Sequence, residues 1–241
     1  MPFSGVTPIE VSGRSVFRLF TSRDRASGAN RGPFFHASLP AAAAVSPEPA
    51  PDRPTGGRFD LRSPRGTCTL ASNGLAAWVE VFRATRMVDR TDVRSRRLLQ
   101  SHVPRRLTLA DITNRGAVAD GVSLDPHAGS DRVASQAFAA AIDEDPRFRG
   151  IWSWTRHDPS KGSNTLALFD DQGDHAPYGW PWHITIIDPL DDFELLTELA
   201  SCGLGVAGVP HDLPVIAPGQ LIAGVSEQGR HLGRRETYSR K

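Results

Sequence analysis

A mixed α+β domain is the fold class this sequence predicts, and three observations carry the prediction. Short apolar or alternating runs suited to strands recur at 15–20, 67–71, 107–112, 150–154, 164–169 and 184–187. Helical spacing of apolar residues covers fewer, longer stretches: one after residue 73, one over 131–142 and one over 191–200. Strands therefore outnumber helices, and the two are interleaved along the chain. At 241 residues with 39% hydrophobic content, the chain is long and apolar enough to bury a substantial core.

Each element has its own local reason. In the run 15–20, alternation puts Arg18 on the face opposite Phe17 and Leu19. The Pro/Ala-rich stretch 37–54 cannot hold a regular strand or a long helix and is expected to be an exposed loop. Small and β-branched residues make 67–71 a short strand, and Ser72 or Asn73 can cap the helix behind it. Within that helix Leu75, Trp78, Val79 and Phe82 fall at i, i+3, i+4 and i+7, a coherent buried stripe. Glu80 lies off the centre of the stripe and shares a side with Ala76 and Ala77, whose small side chains leave room beside it.

Further on, 107–112 reads as a strand and 114–120 as a short helical stretch. Val133, Ala137, Phe138 and Ala141 give the helix 131–142 its apolar face. Strands at 150–154 and 164–169 follow one another closely, then a strand at 184–187 and a helix at 191–200. The segment 173–225 is expected to form an extension packed on the same domain. The basic, polar end, 226–241, is expected to be a flexible tail.

Composition narrows the function. A formal net charge of +1 gives no reason to expect direct nucleic-acid binding or an anionic membrane surface. Arg94, Arg96, Arg97, Arg105 and Arg106 lie close in sequence without interleaved aromatics, the pattern of a solvated face rather than a nucleic-acid patch. Cys68 and Cys202 are too few for a disulfide framework and point to a reducing compartment. No apolar run approaches the roughly 18–20 residues that span a bilayer, and residues 1–11 lack the basic start and apolar core of a secretion signal. A cytoplasmic protein is the expectation. His157, His175 and His183 are too scattered for a metal site, and no Walker or GxGxxG loop is present, which excludes a Rossmann mode of dinucleotide binding.

The residues with chemistry to offer cluster around 56–80. Arginine suits a phosphate because its planar fork donates two hydrogen bonds and keeps its charge, and Arg18 and Arg58 are the candidates. Phe59 offers a ring for stacking, with Trp152 and Trp154 as alternatives, and Thr69 offers a hydroxyl. Glu80 offers a carboxylate in a partly dry setting, suited to stabilising positive charge that develops during a reaction.

FRLF around Arg18, GGRFD at 56–60, the strand 67–71, WVE ending at Glu80, GIWSWTR at 150–156 and NTLALFDD at 164–171 occur in the order of a RES domain. The chain resembles that family over roughly 15–172. The resemblance implies an ADP-ribosyltransferase-like fold and destruction of NAD by hydrolysis or phosphorolysis, as in toxins of bacterial toxin–antitoxin pairs. The relatives that modify proteins with ADP-ribose, and a RES fold that binds a nucleotide or partner without turnover, are its alternatives. It implies NAD as substrate with no further cofactor, an antitoxin protein as partner, and self-association as an option.

Carried over by position, Arg18 matches the first-strand arginine, Arg58 and Phe59 the GRF element, and Glu80 the helix glutamate. Thr69 stands where the family usually has a tyrosine. Ser153 and Thr155 stand at the usual aromatic and serine positions near GIWSWTR, with Arg156 retained; Ser130 and Ser135 flank Val133, near another expected place of the family serine. The resemblance thus implies Glu80, Arg18 and Thr69 as catalytic residues, and Arg18, Arg58, Phe59, Thr69, Ser153 and Arg156 as NAD contacts.

Overall fold

The computed structural model describes residues 6–23, 30–39, 56–83, 85–114, 132–156, 158, 162–208 and 236–237. Nine strands form one sheet: β1 (Thr7–Val11), β2 (Ser15–Thr21), β3 (Arg65–Ala71), β4 (Arg96–His102), β5 (Leu107–Asp111), β6 (Gly150–Trp154), β7 (Asn164–Asp171), β8 (Ile184–Ile187) and β9 (Glu236–Thr237). Their order is β1-β5-β6-β7-β3-β2-β4-β8-β9. Only β5 and β6 run parallel; the other neighbours are antiparallel. Among the described residues, four α-helices accompany the sheet: α1 (Gly74–Phe82), α2 (Arg90–Arg94), α3 (Arg132–Asp143) and α4 (Phe193–Ser201). The α+β class expected from the sequence is the class observed.

Period-2 alternation sorts the side chains onto two faces. One face holds a single continuous cluster that includes Val16, Phe20, Cys68, Leu70, Leu99, Trp152, Leu166 and Leu168. None of the described α-helices covers it; Phe34, Tyr178, Trp180 and Trp182 close it from loops and the short 3-10 turn Pro177–Gly179. The other face holds two clusters. α3 supplies Ala139 and Ile142 to one, over Ile151, Ala167 and Phe169. α1 and α4 supply Trp78, Val79, Leu195 and Leu199 to the other, over Leu19, Ala71 and Leu98.

The sheet is split along one seam. β2 and β3 pair only at Phe17 and Ala71 and then separate. The segment around His36 wedges into the gap, where Ala37 and Thr67 exchange both backbone hydrogen bonds at 2.9 and 3.0 Å. Gly66 permits this approach, because a Cβ there would lie 2.9 Å from the His36 carbonyl oxygen.

Several expectations are corrected. Residues 96–102, within the arginine-rich stretch, form an unforeseen interior strand, β4, with Leu98 and Leu99 fully buried, while Arg94, Arg105 and Arg106 are exposed as expected of a solvated face. Both faces of β4 are covered, so the alternation that marks a half-exposed strand is missing. β1 also went unrecognised: Pro8 interrupts its apolar pattern, yet an edge strand tolerates proline. Within the stretch expected to be a loop from 37, Ser38–Leu39 pairs with Leu61–Arg62, and Leu39 is buried. Residues 40–55 and the helical stretch expected at 115–120 lie outside the described residues, as does most of 226–241. Within the expected extension, β8 joins the same sheet through β4, and α4 packs on α1. Among the described residues no helix is long and apolar enough to cross a membrane.

Candidate functional site

Between the two helix-side clusters runs a strip of polar side chains. Thr69 on β3 and Thr165 on β7 belong to the same face, since Thr69 is registered with Ala167 and Thr165 with Ala71. They are therefore diagonal neighbours across the strand pair. Ser153 on β6 is registered with Thr165 and extends the strip; it is buried, and its carbonyl accepts a hydrogen bond from Asn164 Nδ2 at 3.4 Å. Thr69 is partly exposed.

α1 brings Glu80 to this strip. The helix starts two residues after β3, capped by Asn73, whose Oδ1 accepts from the Ala76 backbone N–H at 2.7 Å. Asn73 Nδ2 also donates to Ser163 Oγ at 3.0 Å, which ties the cap to the segment entering β7. Glu80 Oε1 accepts two hydrogen bonds of 3.1 Å, from the Arg156 backbone N–H and from Thr165 Oγ1. Thr165 Oγ1 lies 3.1 Å from Thr155 Oγ1, and both threonines are buried. A hydroxyl has one proton, and that of Thr165 goes to Glu80, so Thr155 donates to Thr165. The result is a directed chain, Thr155 to Thr165 to Glu80, that fixes one carboxylate oxygen and leaves Oε2 without a hydrogen bond to any described residue.

Arg18 lies elsewhere. Its side chain belongs to the helix-free face and crosses the split between β2 and β3. There Nη1 donates to Cys68 Sγ at 2.6 Å and Nη2 to the Phe35 carbonyl at 3.2 Å. Burial pushes the Cys68 thiol up, against the opposing pull of the Arg18 charge. His36, fully buried beside this group, stacks on His175 with ring centroids 4.7 Å apart, and neither ring nitrogen has a partner among the described residues. Burial, then the neighbouring His175, pulls its pKa down to about 4.

The GRF element is also placed differently from its expected role. Phe59 is buried in the α3-side cluster, and the Arg58 guanidinium lies 4.8 Å over its ring. Thr67 Oγ1 fixes the Phe59 carbonyl at 2.8 Å. Asp60 accepts from the Gly57 N–H at 2.5 Å, and burial raises its pKa although Arg18 and Arg132 pull the other way. The structure therefore brings Glu80, Thr69, Ser153 and the Arg156 backbone to one strip, sets Arg18 across the split, and makes Phe59 part of the core. Trp152 is core as well, on the helix-free face.

No protein-family model and no curated protein matches the chain. A solved structure that it resembles is that of the M. tuberculosis MbcT–MbcA toxin–antitoxin complex, with 19% identity, 77% of this chain and 91% of that chain covered, and a TM-score of 0.47. A likeness so distant bears on neither activity nor partner.

Sequence reasoning missed Thr165. The signal was available in part: strand alternation places it on the face of Ala167, but its contact with Glu80 spans 85 positions of sequence. His36 gave no signal, since it falls just before a stretch without periodicity.

Proposed function

We propose that this chain is an NAD-consuming enzyme of RES type, which cleaves the bond between nicotinamide and ribose with water or phosphate as acceptor and is held in check by an antitoxin protein. The observation that carries the proposal is Glu80: one oxygen is held by Thr165 and the Arg156 N–H, and the other has no hydrogen bond to any described residue, on the strip to which Thr69 also belongs.

Nicotinamide leaves as a neutral molecule from a cationic ring, so the bond needs no strong base. The barrier lies in the oxocarbenium-like charge on the ribose. A carboxylate already oriented by two hydrogen bonds stabilises that charge without reorganising, and its second oxygen can accept from ribose hydroxyls. In this role Thr165 positions Glu80, while Thr69 supplies a hydroxyl to ribose or phosphate. Arg18 supplies charge for the diphosphate from across the split.

The test is nicotinamide release from NAD by the full chain. Glu80→Gln is expected to lower the rate at least about 100-fold while leaving the melting profile near that of wild type. No release by the wild type, or an unchanged rate in the variant, rejects the proposal. A second reading, binding without turnover, is favoured by Thr69 and Phe59: the first has no ring, and the ring of the second is buried. NAD-dependent thermal stabilisation without nicotinamide release would support it. Label retained on a macromolecule would instead identify transfer of ADP-ribose to a protein.

A further inference from the structure

Glu80 sits near the end of a nine-residue helix, too short to hold its own orientation in water. The apolar side of α1, with Trp78 and Val79, packs on the sheet, but apolar packing is non-directional and fixes rotation and slide only loosely. The bonds that hold Glu80 Oε1 need more than that. Both are 3.1 Å, at the long end of the normal range, so a shift of about 0.5 Å in α1 would break them. We infer that Asn73 is a positioning residue for Glu80, the second of two mounts by which α1 is fastened to β6 and β7.

Asn73 and Glu80 are fastened to the same pair of strands. At the base of α1, Asn73 Nδ2 donates to Ser163 Oγ at 3.0 Å, just before β7. The Ser163 carbonyl accepts from the Thr155 backbone N–H at 3.1 Å, just after β6. The next residue, Arg156, gives its N–H to Glu80, and Thr165 of β7 gives its hydroxyl. A closed circuit thus runs from Asn73 through Ser163, Thr155 and Arg156 to Glu80, and back along the helix. Ser163 is buried, so water does not readily replace its bond to Asn73.

The residue type fits this double task. An N-cap needs one acceptor, and Asp89 and Asp192, which cap α2 and α4, offer acceptors only. Asn73 spends Oδ1 on the Ala76 N–H at 2.7 Å, which turns Nδ2 toward Ser163. Among the favoured caps, asparagine is the one that accepts for the helix and donates from a separate atom. Ser72 adds a fastening of its own: its N–H donates to the Asn164 carbonyl and its Oγ accepts from the Asn164 N–H, both at 2.9 Å. Those bonds hold the chain that enters α1, whereas the Asn73 amide holds the helix itself.

This role rests on the NAD reading above for the reaction it serves, but it has a readout apart from turnover: hydrogen exchange of the Arg156 N–H, followed by NMR on the full chain. Ser163→Ala removes the far end of the tether and leaves the cap intact. Asn73→Ser keeps a capping hydroxyl that is too short to reach Ser163 as well. Asn73→Asp keeps the cap and can accept from the Ser163 hydroxyl, which restores the tether with its direction reversed. In Ser163→Ala and Asn73→Ser the Arg156 N–H is expected to exchange at least about 5-fold faster, with the Ala76 N–H unchanged. The kcat for nicotinamide release should fall about 5-fold in both, at unchanged KM. Asn73→Asp should return exchange and kcat to near the wild-type values.

Arg156 exchange at the wild-type rate in both variants overturns the role. So does a loss that appears in KM, or one that Asn73→Asp fails to recover, since either would leave Asn73 as a helix cap only. Ser163→Ala serves if Asn73→Ser fails to fold. No nicotinamide release by the wild type, with faster Arg156 exchange in both variants, would sink the NAD reading and keep Asn73 as a mount of Glu80. Release by the wild type with unchanged exchange in both variants would do the reverse.

Discussion

The two faces of the sheet handle polar groups in opposite ways. On the helix-covered face the apolar core is divided into two clusters, and hydroxyls and a carboxylate occupy the strip between them, partly open and connected by hydrogen bonds. On the opposite face the core is continuous, with Cys68 inside it and His36 and Ser101 buried beside it. An interrupted core admits Glu80 among hydroxyls, with one of its oxygens unpartnered among the described residues. An unbroken core holds Arg18 at a fixed position but makes its ionisable neighbours sensitive to pH. The difference lies in whether the polar groups form a connected hydrogen-bond chain or are buried singly within the core.

The largest expected effect breaks the helix-covered face at its anchor. Trp78 is fully buried, lies 4.6 Å from the Phe82 ring, and has an indole N–H without a partner among the described residues. Trp78→Ala is expected to cost about 3–5 kcal/mol in urea unfolding. Trp78→Phe should cost clearly less, because it keeps a ring and removes the buried orphan donor. Equal losses in the two variants would show that α1 is not held through this ring.

On the opposite face, His36 gives the sheet its acid sensitivity. The unfolded chain takes up this proton near pH 6.5, whereas the folded chain takes it up only near pH 4. Stability from the buried neutral ring is therefore complete above about pH 6.5 and is lost as the pH falls toward 4, by on the order of 3 kcal/mol. His36→Phe keeps a ring against His175 and is expected to flatten that limb between pH 7 and pH 5. A variant whose urea midpoint falls as steeply as that of wild type would place the acid sensitivity elsewhere.

The smallest effect sharpens the comparison at the strip itself. Thr165→Val removes one of the two hydrogen bonds to Glu80 Oε1 and interrupts the chain from Thr155. Nicotinamide release is expected to fall about 10-fold, mainly in kcat. Thr165→Ser, which restores the hydroxyl, should recover most of the rate. A loss that appears only in KM, or is not recovered by serine, would separate Thr165 from the orientation of Glu80.

Local pattern carried much of this architecture. The helical stripe of Leu75, Trp78, Val79 and Phe82 gave α1 to within a residue, and the strand runs gave most of the central sheet. Patterns set by burial on both sides did not carry: in β4 adjacent leucines replace alternation. Pairings across long separations did not carry either, which is why the wedge at His36 and the Thr165 contact emerged only from the fold. Arg96 shows both failures together: expected on a solvated face, it is half-buried on β4 with its guanidinium 4.9 Å over the Phe82 ring of α1.

The two-residue connection between β3 and α1 sets a phase as well as a distance. Glu80 is six residues along a helix that turns about 100° and rises about 1.5 Å per residue. Adding or deleting one residue between Ala71 and Gly74 would swing the carboxylate by about 100° around the axis, away from Thr165, with every side chain of the helix still present.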